Sequence, residues 1–89
     1  MTKYTNYPDN ELQRLAAEGD AAAEETLIDR YARLVRICAR PFFLAGGDSE
    51  DLTQEGMLGL LSAVRRFDPK GSTPFRTFAE VCIRNRIIG

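Results

Sequence analysis

DLTQEGMLGLLSAVRRFDP, residues 51–69, reads as a single helix with two unusual features. Gly56 and Gly59 each cost about 1 kcal/mol relative to alanine inside a helix, and apolar side chains run most of the way round it. At 100° per residue, Leu52, Gly56, Gly59, Leu60, Ala63, Val64 and Phe67 fall on one broad side. That side is a core stripe, and its glycines sit where a neighbouring helix can approach closely. The opposite side collects Asp51, Gln54, Glu55, Leu58, Leu61 and Ser62, with Met57 at its margin. A merely solvated face carries lysine and glutamate. Leucines ringed by carboxylates and an amide describe a docking surface instead. From periodicity alone, cover by the N-terminal helix or by another part of a longer protein explains that side equally well.

The rest of the chain is helical too. A first short helix follows Pro8-Asp9 and ends at Gly19, with Asp9 as N-cap and Leu12, Leu15 and Ala16 as its stripe. Asp20 then caps a longer helix whose apolar positions Leu27, Tyr31, Leu34, Val35, Cys38 and Phe42 step by three and four. Pro41 lacks a backbone donor, so that helix is expected to kink or stop there, and Ala45-Gly46-Gly47 ends any continuation beyond it. Asp48 or Ser49 caps the third helix, and Glu50 and Asp51 suit its first turn. Residues 68–74, DPKGSTP, form a turn-rich loop, and Phe75 to Ile88 a fourth helix. Loops this short between four helices imply an all-α fold, a compact four-helix bundle.

Bulk numbers narrow the function. At 89 residues, 44% apolar and 28% charged, the chain is a single small domain of ordinary globular composition. No apolar run approaches the ~20 residues of a membrane span, so no membrane partner is expected. The first twelve residues lack the apolar core of a signal peptide, which makes a cytoplasmic location the expectation. Cys38 and Cys82 lie far apart among apolar neighbours, and there is no histidine. They read as buried structural thiols, not as a metal site. No catalytic constellation and no cofactor motif emerges, so an enzyme is not expected. Charge is uneven: residues 1–64 hold six Lys or Arg against eleven Asp or Glu, and residues 65–89 hold six against two. That split hints that the last quarter, and not the remainder, meets something anionic.

FRTFAEVCIRNRII, residues 75–88, buries Phe75, Ala79, Cys82 and Ile83 on one side and presents Arg76, Thr77, Glu80 and Arg84 on the other. Between them lies a flank of Phe78, Val81, Asn85 and Ile88. A ring beside arginines can hold an unpaired base by stacking while the cations attract phosphate. On spacing alone, Phe78 as a packed core ring explains the pattern as well.

Asp51-Leu52, Gln54-Glu55-Gly56, Gly59-Leu60, Ala63-Val64 and Phe67-Asp68-Pro69, followed by Phe75-x-Thr77-Phe78-Ala79 and Ile83-Arg84, closely resemble conserved region 2 of bacterial sigma factors. Within that family the likeness leans to the sporulation and stationary-phase group. The resemblance implies one region 2 domain over residues 1–89, made of N-terminal helices over 9–45, a core-binding helix over 49–67 and a promoter-melting helix over 75–88. It implies docking of the third helix on the β′ clamp helices of RNA polymerase, with Asp51, Gln54, Glu55, Leu58 and Leu61 as contacts. For the fourth helix it implies capture of the non-template single strand of the promoter minus-ten element. There Phe78 stacks on an extruded adenine, with Arg76, Thr77, Val81, Arg84, Asn85 and Ile88 around it. An anti-sigma factor is a further candidate partner. Housekeeping members carry a tryptophan pair where this chain has Val81-Cys82, so melting here should lean on Phe78 and the arginines. The family's recognition helix continues past the position of Gly89, so a longer parent protein is expected. The second reading is a sigma-like decoy or regulator that binds polymerase without opening DNA.

Overall fold

A computed structural model describes residues 3–89, apart from the side chain of Ser49. Four helices follow one another: α1 (Asp9–Ala17), α2 (Ala21–Leu44), α3 (Ser49–Arg66) and α4 (Phe75–Ile88). No strand occurs among the described residues, and the all-α bundle expected from the periodicity is the fold the chain adopts. α3 lies between α2 and α4 and packs against both, while α1 packs mainly on α2.

The helix ends follow from local chemistry. After α1 and after α2 the chain turns in the same way, through a glycine with φ near +100° (Gly19 and Gly46). At the first turn the N–H groups of Gly19 and Asp20 donate to the carbonyls of Ala16 and Leu15. At the second, Gly46 and Gly47 donate to Phe43 and Phe42. Both are Schellman closures, which satisfy carbonyls that a helix end otherwise leaves bare. Asp20 then caps α2 by accepting from the Ala23 N–H at 3.1 Å. Asp48 caps α3 by accepting from Glu50 and Asp51 at 3.0 and 3.1 Å. Ser49, the alternative cap, has its side chain outside the described residues.

Three local expectations need correction. Asp9 is not an N-cap: Pro8 holds that position and makes no side-chain cap bond. The Asp9 carboxylate is taken by α2 instead, where Arg30 donates to it at 2.9 Å and the Tyr31 hydroxyl donates to its other oxygen. Pro41 does not stop α2, which runs on to Leu44. The carbonyl that loses its donor is that of Ile37, four residues back, on the exposed side of the helix where water can serve it. Cys82 is only half-buried, and Ile87 takes the fourth core position of α4.

The two glycines of α3 are explained by what faces them. A Cβ on Gly59 would stand 2.7 Å from the Cys82 carbonyl oxygen and 3.0 Å from the Ile83 Cα, both backbone atoms of α4. On Gly56 it would meet Val35 of α2 at 2.6 Å and Ile87 of α4 at 3.2 Å. The propensity cost of the glycines thus permits close contact with two neighbours at once. Below this seam, Phe75 packs its ring 5.5 Å from Tyr31 and 5.3 Å from Phe67, centroid to centroid. Gln13, the one buried polar side chain among the described residues, donates its amide to the carbonyls of Val64 at 3.0 Å and Phe67 at 3.3 Å. It thereby satisfies the C-terminal end of α3 from α1.

Tyr31 gives this core a measurable signature. Burial, assisted by the hydrogen bond to Asp9, pushes its phenol up to about 12 from 10.0. A pKa raised in the folded state favours the neutral form, so that stabilisation is complete below pH 10 and lost as pH climbs through about 12. Urea titrations between these limits should show wild-type stability falling with a steeper slope than that of Tyr31→Phe. Equal slopes would show that the phenol is not held neutral by the fold.

Candidate functional site

The flank of α3 opposite the core stripe is left open by the chain's own helices. Asp51, Gln54, Glu55 and Leu58 are exposed, Leu58 by 47%, while Leu61 and Ser62 are half-buried. Their positions follow from the glycine-bearing stripe pressed between α2 and α4, which turns the reverse face outward. α1 touches the C-terminal end of α3 through Gln13 and does not cover this flank. Of the two explanations for these leucines, cover by the chain's opening segment is ruled out. One ion pair crosses from here to α4: the Arg86 guanidinium donates to Glu55 at 2.9 Å.

On α4 the residues singled out from sequence form one continuous outward arc. Arg76, Thr77, Arg84 and Asn85 are exposed, as are Val81 by 51% and Ile88 by 68%. Arg84 lies 3.7 Å from Glu80 one turn back, both well exposed, a pairing worth only a few tenths of a kcal/mol. Phe78 stands at the edge of the arc, half-buried, its ring 5.6 Å from that of Phe67 and tilted by 49°. Both readings of that ring hold in part: it packs on the core, and some of it stays accessible. α4 is anchored for this by Phe75, Ala79, Ile83 and Ile87, all buried.

Summing charge by segment concealed a further set of residues. Arg33, Ile37 and Arg40 recur at helical spacing along α2, and Ile37 is 56% exposed. The fold brings this stripe beside α4, where Arg30, Arg33, Ile37 and Arg76 line a groove of about 260 Å³ floored by Tyr31 and Leu34. Arg33, Arg40 and Arg76 have no ion-pair partner among the described residues. The cationic surface therefore spans α2 as well as α4, although residues 1–64 are acidic in sum. The Arg-x₃-Ile-x₂-Arg spacing was visible in the sequence, but its neighbour was not.

Cys38 is buried and Cys82 half-buried, both unpaired, and burial pushes both thiols up from their ordinary range. Among the described residues no cluster of His, Cys, Asp or Glu could hold a metal ion. No helix described is long and apolar enough to cross a membrane.

An open polar–apolar flank on one helix, set beside a cationic arc on the next, defines a helical binding module with two surfaces. The Sigma-70 region 2 family model matches residues 27–89, and this chain belongs to that family. It is 40% identical over 86 residues to the RNA polymerase sigma-H factor of Bacillus licheniformis, covering 97% of this chain and 39% of that protein. It is 47% identical over 70 residues to the sigma-H factor of Bacillus subtilis (strain 168), covering 79% and 32% respectively. A sigma-E factor of Clostridium acetobutylicum is 36% identical over 80 residues, covering 90% and 34%. The chain thus spans between about a third and two fifths of the length of these relatives. The family match begins inside α2, so α1 and the turn before it lie outside it.

Proposed function

We propose that this chain is the part of a transcription initiation factor that docks on the RNA polymerase core and holds the opened minus-ten strand of a promoter. The observation that carries the reading is the open flank of α3, where carboxylates and an amide ring two leucines on a face the chain leaves free. Asp51, Gln54, Glu55, Leu58 and Leu61 make the contacts to the β′ clamp helices. Arg76, Arg84 and, from α2, Arg33 attract the phosphates of the separated strand, and Phe78 offers its accessible edge and face to a base. Thr77, Val81, Asn85 and Ile88 complete the surface along which that strand lies. Strand opening of this kind draws on binding energy and needs no catalytic side chain.

Two measurements test this reading. Glu55→Lys should weaken binding to bacterial core polymerase by roughly tenfold or more, since it reverses a charge at the interface. Gln54→Ala should act in the same direction with a smaller effect. Unchanged affinity in both would refute docking through this flank. For the second surface, Phe78→Ala should weaken binding of a single-stranded minus-ten oligonucleotide by about 1–3 kcal/mol, the worth of one stacked base. Duplex binding should change far less. Phe78→Leu keeps an apolar contact with Phe67 and separates lost stacking from lost packing. Wild-type chain that binds polymerase but shows no single-strand preference, with polymerase present and at low salt, would favour the decoy reading. Val81 and half-buried Cys82, which supply no ring to the arc, are what that second reading rests on.

A further inference from the structure

The open flank of α3 does not end at Leu61. The same helical steps bring Arg65 into line with Leu58 and set Arg66 beside Ser62. Both arginines are exposed. With Arg86 of α4 they rim a groove of about 330 Å³ walled by Leu58, Leu61 and Ser62. An adjoining hollow of about 250 Å³ shares Ser62, Arg66 and Arg86 and reaches Cys82 and Asn85. Over some 14 residues, or about 21 Å of helix, the flank passes from carboxylates through leucines to arginines. Asp51 and Arg66 have no ion-pair partner among the described residues. The other two ends are held only by exposed pairs, Glu55 with Arg86 and Arg65 with Glu24 at 3.3 Å. Such pairs are weak enough to exchange for a partner's charges.

We infer that this flank fixes the direction in which its partner lies. The occupant is an α-helix sorted the opposite way, with Lys or Arg against Asp51 and Glu55, apolar side chains on Leu58 and Leu61, and Asp or Glu against Arg65 and Arg66. The inference rests on the docking reading above and adds the partner's chemistry and polarity. A helix laid down in reverse would set like charges together at both ends, which strongly disfavours that complex. Nucleic acid fits this flank poorly, because Asp51 and Glu55 repel phosphate and the leucines offer it nothing. The pattern is also self-complementary, so an antiparallel second copy would match the charges. Two leucines a side fall well short of the roughly 800 Å² per partner that a stable dimer buries, whereas a larger partner adds contacts beyond the flank.

The test compares wild type, Arg65→Glu/Arg66→Glu, Arg65→Lys/Arg66→Lys and Leu58→Asp for affinity to core polymerase, with far-UV circular dichroism to verify folding. The inference expects the glutamate pair to weaken binding roughly tenfold or more at about 0.1 M salt, and less at 1 M, where screening is strong. The lysine pair should bind within about twofold of wild type, because charge and not guanidinium shape sets the direction. If Leu58→Asp loses binding while the glutamate pair does not, docking stands and the polarity is wrong. If neither loses binding, both readings fall. Loss of oligonucleotide affinity alone in the glutamate pair would assign these arginines to nucleic acid and overturn the inference. A wild-type dimer in sedimentation, made monomeric by the glutamate pair without change in polymerase affinity, would overturn it in favour of self-association.

Discussion

Phe75→Ala is expected to remove about 3–5 kcal/mol of folding free energy, the cost of emptying a fully enclosed aromatic position. Phe75 is 2% exposed at the start of α4 and touches rings from two other parts of the chain, Tyr31 of α2 and Phe67 at the end of α3. A chain of 89 residues has about 4–13 kcal/mol of stability in all, so the variant sits near the edge of folding. Its melting temperature should drop by at least about 12 °C, at the 4–8 °C per kcal/mol usual for this size. The effect reaches function, because Phe67 also backs the half-buried ring of Phe78. With Phe75 gone, Phe67 can relax into the void and Phe78 loses its support, so oligonucleotide binding should weaken even under conditions where the variant stays folded. Thermal melts followed by circular dichroism decide the first part. A loss below about 1 kcal/mol would mean that the site collapses to fill the hole and that this ring does not hold the three helices together.

Gly59→Val is the second large effect, and here the direction opposes helix propensity. Replacing glycine inside a helix ordinarily gains a few tenths to about 1 kcal/mol. At Gly59 the first carbon added would lie 2.7 Å from the Cys82 carbonyl and 3.0 Å from the Ile83 Cα. These are backbone atoms, so relief requires α4 to move as a unit, and overpacking of this kind costs about 1–3 kcal/mol even for modest additions. Gly59→Ala should therefore destabilise in spite of its better propensity, and valine more so. Gly56→Ala offers the internal comparison. Its nearest atoms are the side chains of Val35 and Ile87, which can shift by rotamer changes and small adjustments. Unfolding free energies should rank wild type above Gly56→Ala and Gly56→Ala above Gly59→Ala. The reverse order would mean that α4 is free to slide along α3. Because α3 and α4 carry the two proposed surfaces, a displaced α4 should also change how the polymerase and strand surfaces are set relative to each other.

Much of this molecule is legible in its linear code, because a helix writes its own geometry into residue spacing. The steps of three and four at Leu27, Tyr31, Leu34, Val35 and Cys38 marked a buried face on α2, and all five are buried. The caps at Asp20 and Asp48 and the closures at Gly19 and Gly46 act within a few residues, so their side-chain types declare them. The odd reverse face of α3 was visible for the same reason. Tertiary structure decided what no period encodes. Asp9 serves α2 and not its own helix end, because Arg30 and Tyr31, twenty-one and twenty-two residues away, arrive beside it. Ile87 displaces Cys82 from the core because the path of α4 across α3 brings its side chain over Gly56. Most consequential is Arg33, assigned by segment charge to the half not expected to meet an anion, yet placed next to Arg76 by the packing of α2 and α4. Spacing along a helix sets which side chains share a face. Which faces meet is settled only when distant helices compete to bury theirs, and a one-dimensional pattern carries no term for that competition.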